Sequence, residues 1–349
     1  MKTANTWDLA WAGARRHHEI FHNYDHYTGI VTLHGMARLA TASGDAERIE
    51  EARQAFMPFV RGEREFWVSF FNYFCGGNGA AYFLWKGHLP EAREEVRRYA
   101  KQLMEEAPRD RNGIFCNRWE PAKELIWIDA AFAVTPFLLF AGLAFEEESW
   151  IDVAFQHTAR MVHILRDPEN GLLHQSKNAR GLLPGRISED HWSRGNGWGI
   201  YAMAELASYL PEGHKHKAEA VQIFRDHVEA CIKFQDEAGM WHQEMTEPLS
   251  FVETSGTGLI LYGIGLGLEA GLLDASARAS FEKGLAGYLQ YVTEDIDIFH
   301  TCRGMMCPGT GTKLEYMAQA AVVNDQHAFG PLVLAYGQAH ILGINQVTR

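Results

Sequence analysis

The sequence is short of several things, and each shortage excludes something. Cysteine is sparse: Cys75, Cys116, Cys231, Cys302 and Cys307 are odd in number, scattered, and contain no Cys-x-x-Cys pair. That pattern argues against a disulfide framework and for reduced thiols in the cytoplasm. Positive charge is in deficit, with 32 Lys and Arg against 44 Asp and Glu, a net charge of −12. A surface of that sign repels phosphate backbones, so no nucleic-acid partner is expected. No apolar stretch reaches the roughly 18 residues that a membrane-crossing helix needs. The first residues lack an apolar core of the kind that marks a secretion signal. Sustained apolar/polar alternation is also missing, and with it the usual signature of strands and hairpins.

Aromatic and apolar residues are present in quantity. Hydrophobic residues make up 47% of the chain, enough for a sizeable core. The densest concentration of chemistry is Asp190-His191-Trp192-Ser193-Arg194-Gly195-Asn196-Gly197-Trp198. Two indoles can stack on the apolar face of a sugar ring, and the planar guanidinium fork of Arg194 suits a carboxylate. The competing reading is a buried aromatic cluster at a helix start.

The chain is also repetitive. Six apolar, small-residue-rich segments run roughly over His26–Ala42, Cys75–Trp85, Leu125–Phe145, Gly197–Leu210, Gly256–Ala270 and Phe329–Leu342. Five are followed, after a short turn, by a charged amphipathic segment: Ala46–Val60, Glu91–Glu106, Trp150–Arg166, Lys217–Gln235 and Ala275–Thr293. The sixth finds its partner in Asn5–His22. Helices that are apolar all round belong inside, and amphipathic ones belong on a surface. Six of each in alternation predict an all-α fold, an (α/α)6 barrel built as one domain over residues 1–349. An α-solenoid would show a shorter, more regular period of ~34–47 residues.

In such a barrel the inner helices run parallel, so their N-terminal ends share one face. Asp25-His26-Tyr27, Asn72-Tyr73, Trp127-Ile128-Asp129, Trp192 to Trp198, Glu253-Thr254-Ser255 and His327 all fall near those ends. Exposed N–H groups and helix dipoles make that face weakly positive. Asp129 is the sharpest candidate, because apolar neighbours favour the protonated carboxyl and so make a proton donor near neutral pH. His174 is placed to meet a sugar hydroxyl. The i, i+4, i+8 stripe of His18, His22 and His26 and the group His300, Cys302 and Cys307 are both weak as metal sites, so neither a metal nor a cofactor is expected.

These residues resemble the unsaturated rhamnogalacturonyl hydrolases, glycoside hydrolase family 105, and the related unsaturated glucuronyl hydrolases of family 88. The markers are Tyr27, Trp127-Ile128-Asp129, Gly171-Leu172-Leu173-His174, Trp192 to Trp198, Glu253-Thr254-Ser255-Gly256, Cys307-Pro308-Gly309-Thr310-Gly311 and His327-Ala328-Phe329-Gly330-Pro331. The resemblance covers nearly the whole chain and implies the same barrel. It further implies a substrate carrying a 4,5-unsaturated uronic acid at its non-reducing end, with Asp129 as the acid that protonates C4. Tyr27, His174, Trp192, Arg194, Trp198 and His327 then match substrate-binding positions. Asn72 falls where the family usually carries a second aspartate at its catalytic centre. Two other functions remain open at this point: a sugar epimerase or isomerase on the same fold, and a non-catalytic carbohydrate-binding relative.

Overall fold

A computed structural model describes residues 3–65, 67–68, 73–74, 77–116 and 123–349. Among them are thirteen α-helices: α1 (Thr6–Phe21), α2 (Tyr27–Ser43), α3 (Ala46–Val60), α4 (Asn78–Trp85), α5 (Arg93–Glu105), α6 (Ala130–Phe145), α7 (Glu148–Leu165), α8 (Ser193–Tyr209), α9 (Lys217–Ile232), α10 (Thr254–Glu269), α11 (Ala275–Leu289), α12 (Lys313–Met317) and α13 (Phe329–Ile341). Helices α2, α4, α6, α8, α10 and α13 each pack on the next, and α13 returns to α2, so the six close a ring. The amphipathic helices α1, α3, α5, α7, α9 and α11 lie around it, each against an inner neighbour. The chain folds as an (α/α)6 barrel.

Sequence explains the division. The inner helix α6 is buried along Ala130 to Gly142, whereas α5 buries only Val96, Tyr99, Ala100 and Leu103, one stripe at helical spacing. Helix boundaries are written in local chemistry. Asp45 caps α3 through Glu47 and Arg48 N–H groups, and Asp274 caps α11 through those of Ser276 and Ala277. The inner ring is drawn tight by glycines. A Cβ on Gly256 would sit 2.6 Å from the Arg194 backbone nitrogen, so α8 and α10 can approach only because that position has no side chain.

Three boundaries differ from expectation. The predicted helix Leu125–Phe145 starts only at Ala130, because Ile126–Trp127 pairs as a short antiparallel strand with Ser176–Lys177. β-Branched and aromatic residues prefer that extended pairing. Helix α8 begins at Ser193 rather than Gly197, and α4 at Asn78; Cys75 lies outside the described residues. Four small ladders of two strands exist among the described residues, each too short to leave an alternating signal, and one pairs Thr3–Asn5 with Gln346–Thr348. None of the described helices is long and apolar enough to cross a membrane.

The ends of the inner helices identify the barrel as parallel. Tyr27 of α2 meets His327 just before α13, while at the other ends Arg38 of α2 meets Gln338 of α13. Arg38 is buried there, with Nη2 3.1 Å from both Glu269 Oε2 and Gln338 Oε1, and Nη1 3.9 Å from Glu205 Oε2. Tyr262 donates a hydrogen bond to Glu205. Removing the guanidinium would leave Glu205 without its cation; burial already raises that carboxyl to about 7, so it would take up a proton and the loss stays below the ~3–5 kcal/mol of a broken ionised pair. Arg38→Met is therefore expected to lower the melting temperature by several degrees, measured by calorimetry. An unchanged melting temperature would show that the network carries no net stability.

Candidate active site

The site is assembled on the N-terminal face of the inner ring. The ladder between Ile126–Trp127 and Ser176–Lys177, extended by Ile128 N–H donating to Gln175 O at 2.9 Å, ties Asp129 to the segment bearing His174. Asn196 locks that segment to α8. Its Oδ1 accepts from Leu173 N–H at 2.8 Å, and its Nδ2 donates to Leu173 O at 3.0 Å. Asn196 thus serves as a clamp between elements.

Asp129 does not sit inside a helix; it is the residue immediately before α6. It retains some surface, yet Oδ2 is sealed from water and has no hydrogen-bond partner among the described residues. Burial is the largest influence on its carboxyl and raises the pKa to about 7. Hydrogen bonds from its own backbone and Gln175, and the charge of Arg194, pull the other way and do not prevail. A carboxyl in this state is a proton donor at neutral pH.

His174 is oriented by its own Nδ1–H, which donates to Asp190 O at 2.8 Å. In the neutral ring that leaves Nε2 as the acceptor. Asp190 in turn accepts from the Gln175 and Trp192 N–H groups at 3.1 Å each. Tyr27, the first residue of α2, donates its phenolic proton to His327 Nε2, and His327 Nδ1 lies 2.5 Å from Asp325 Oδ1. Burial and then Arg194 hold the His327 pKa down to about 4, against the pull of Asp325. The imidazole is therefore neutral. Asp325, Gln175 and Asp190 enter the site without having been singled out individually in the sequence. Gln175 follows His174 directly and Asp190 opens the aromatic motif, but nothing local distinguishes Asp325 from other turn aspartates.

Two expectations are corrected. Trp192 and Trp198 are 1% and 2% exposed, so neither offers an open face to a sugar. The Trp198 ring is stacked on Phe132 at 4.2 Å, and Trp192 has Arg194 over its ring at 4.5 Å. Both are walls of the site. Arg194 is fully buried, and its fork is already engaged: Nη1 with Ser255 Oγ and Cys302 O at 2.9 and 2.5 Å, Nη2 with Arg303 O at 2.8 Å. It holds the 301–303 segment against α8 and lends the site positive potential rather than a free carboxylate clamp. Glu253 completes this hub, capping α10 through Ser255 and Gly256 N–H and accepting from Cys302 N–H at 2.9 Å. Asn72 lies outside the described residues.

Asp167, His174 and His191 place potential ligand atoms within 4.8 Å of one another. His191, however, lies between Asp167 at 2.8 Å and Glu244 at 3.4 Å. Burial opposes its protonation, but these carboxylates outweigh that and raise its pKa, which favours the imidazolium between them.

Against this geometry, comparison with known proteins is decisive for the family. The model of Glycosyl Hydrolase Family 88 matches residues 2–341. The chain belongs to this family. An unsaturated 3S-rhamnoglycuronyl hydrolase of Alteromonas sp. is 35% identical over 107 residues, 30% of this chain and 26% of that protein. An unsaturated rhamnogalacturonyl hydrolase of Bacillus subtilis is 24% identical over 58% of each chain. The matched stretches thus span about a quarter to just over half the length of these curated relatives. Among solved structures, a family 105 glycoside hydrolase of Clostridium acetobutylicum superposes with a TM-score of 0.78 at 22% identity, covering 91% of this chain and 94% of that one. The unsaturated glucuronyl hydrolase of Bacillus sp. GL1 gives 0.70 at 15% identity, covering 98% and 97%. At these identities the superpositions establish the fold, the same barrel.

The dry carboxyl has a measurable cost. A carboxyl whose pKa is raised on folding favours the folded state below its unfolded value near 4, and that contribution is lost as pH rises through about 7. Asp129→Asn removes the ionisation, so at pH 8 its melting temperature should equal or exceed that of the unsubstituted protein. A clear drop at pH 8 would mean that the ionised carboxylate is well solvated or paired. Arg194→Lys keeps the charge but loses the fork that holds Cys302 O and Arg303 O together with Ser255. It should be destabilised by about 1–3 kcal/mol in a denaturant titration, as unsatisfied buried carbonyls predict.

Proposed function

We propose that this protein is a glycosidase acting on the 4,5-unsaturated uronic acid at the non-reducing end of an oligosaccharide; its curated relatives are named as unsaturated 3S-rhamnoglycuronyl and unsaturated rhamnogalacturonyl hydrolases. The single observation that carries the reading is the Asp129 carboxyl, buried at the N-terminal face of the barrel with a pKa of about 7. Ordinary glycosidases flank the scissile bond with two carboxyls. Here one donor suffices, because the C4=C5 enol ether is itself the reactive group. Asp129 protonates C4, and the positive charge develops at C5 with the ring oxygen. Water adds to C5 and returns a proton to the Asp129 carboxylate, and the resulting hemiketal opens to release the neighbouring sugar.

The other residues support that step. His174 presents Nε2 as an acceptor for a sugar hydroxyl. Tyr27 and His327 line the same face, and buried Arg194 adds positive potential that complements the substrate carboxylate without touching it. Trp192 and Trp198 shape the walls. We assign Asn72, on sequence grounds, to holding a hydroxyl beside the acid, since an amide cannot share a proton with Asp129. The chain acts as one catalytic domain over residues 1–349. The four described cysteines, free and buried, fit a reducing cytoplasm.

Asp129→Asn should lower kcat at least ~100-fold, within the range of general acid catalysis. The assay is the ultraviolet absorbance of the conjugated double bond in lyase-generated disaccharides. Activity of the unsubstituted protein should fall as pH rises through about 7, because the acid must be protonated to react. A folded Asp129→Asn protein that keeps more than about a tenth of the rate would remove Asp129 from the role. If the protein altered the sugar while the double bond persisted, an epimerase or isomerase would replace the hydrolase.

A further inference from the structure

The hydrogen bonds around Tyr27 define a relay that extends past the first contact. Asp325 Oδ1 accepts from the His327 backbone N–H at 3.0 Å and lies 2.5 Å from His327 Nδ1. A carboxylate can only accept, so the proton on the imidazole resides at Nδ1. The ring is buried, carries Arg194 nearby, and stays neutral at physiological pH. A neutral imidazole with its proton on Nδ1 has a lone pair on Nε2. The Tyr27 hydroxyl bonded to that nitrogen must therefore be the donor. Its proton is committed, and any other group that bonds the same oxygen has to be a donor itself. Tyr27 stands in the field of Asp129 and Arg194, with its ring 5.8 Å from that of Phe132 at the start of α6.

We propose that Asp325 and His327 are positioning residues that fix the Tyr27 hydroxyl as a hydrogen-bond acceptor at the N-terminal face of the ring, where it takes a bond from the attacking water or from a sugar hydroxyl. The logic is that of a carboxylate holding an imidazole in one tautomer so that the imidazole can order a hydroxyl. No proton needs to leave the relay; its effect is orientation. It would also make the site selective, since a ligand atom that can only accept finds no partner at Tyr27. This inference rests on the glycosidase reading for its kinetic arm and is independent of it for its spectroscopic arm.

The spectroscopic arm uses the full-length protein without substrate. Imidazole 15N shifts of His327 should report the Nδ1–H tautomer at pH 7, and Asp325→Ala should abolish that preference. A His327 found as the Nε2–H tautomer in the unsubstituted protein overturns the proposal. The kinetic arm compares Tyr27→Phe, Asp325→Ala and the double variant on an unsaturated disaccharide. Each single change should cost about tenfold or more in kcat/KM, and the double variant should be no slower than the worse single, as expected for residues acting in one chain. Asp325→Asn, whose amide can turn its Nδ2–H toward His327 Nδ1, should lose the Nδ1–H preference and slow turnover much as Asp325→Ala does, as the corresponding change does in a Ser-His-Asp triad. Losses that multiply in the double variant overturn the relay. If the unsubstituted protein turns over no unsaturated sugar, the glycosidase reading fails, and the tautomer measurement still decides the relay.

Discussion

The removal of one carboxyl from water is the constraint around which this molecule is organised. Moving the Asp129 pKa from its ordinary 3.8 to about 7 amounts to roughly 4 kcal/mol against the ionised form. A fold stable by only about 5–15 kcal/mol can hold few such groups, and burial raises Glu205 at the opposite end of the ring to about 7 as well. The barrel accommodates Asp129 by placing it on a ladder, between the short strand at Ile126–Trp127 and helix α6, where both neighbours are rigid. Partial compensation comes from Gln175 and from the charge of Arg194, neither strong enough to restore an ordinary carboxylate. A fully solvated carboxylate, by contrast, would hold no proton at neutral pH.

The rest of the site follows from keeping that arrangement in place. Glu253 and Arg194 join α8, α10 and the 301–303 segment through buried hydrogen bonds, and Asn196 fastens the His174 segment to the same helix. At the opposite end of the ring, Arg38 and Glu205 gather α2, α8, α10 and α13. Between these two polar ends lie large aromatic side chains such as Phe132 and Phe140, and a buried polar chain from Asn78 through Tyr201 and His34 toward Glu205 runs among them.

How much of this could be read from sequence depended on range. The ring of six apolar helices was legible because burial on all sides erases amphipathic periodicity over a dozen or more residues at a time. Asp129 stood out as a candidate acid for the same reason, a lone charge in an apolar run. Its environment was misjudged by one turn of structure, since a two-residue strand leaves no period to detect. Trp192, Arg194 and Trp198 were visible as a cluster, but sequence cannot say which side of a tryptophan faces solvent. Their faces turned out to be occupied by Phe132, by the Arg194 guanidinium and by backbone carbonyls. Asp325 was illegible because its role exists only across the 300 residues that separate Tyr27 from His327.

The account stands on Asp129 being an acid at neutral pH, and a direct titration examines that without any substrate. With 13C-labelled aspartate, the carboxyl resonance absent from the Asp129→Asn spectrum belongs to Asp129. Its midpoint should fall near 7, about three pH units above an ordinary aspartate. A midpoint near 4 would contradict the account, because the group proposed to protonate the sugar would then carry no proton at the pH where it must act.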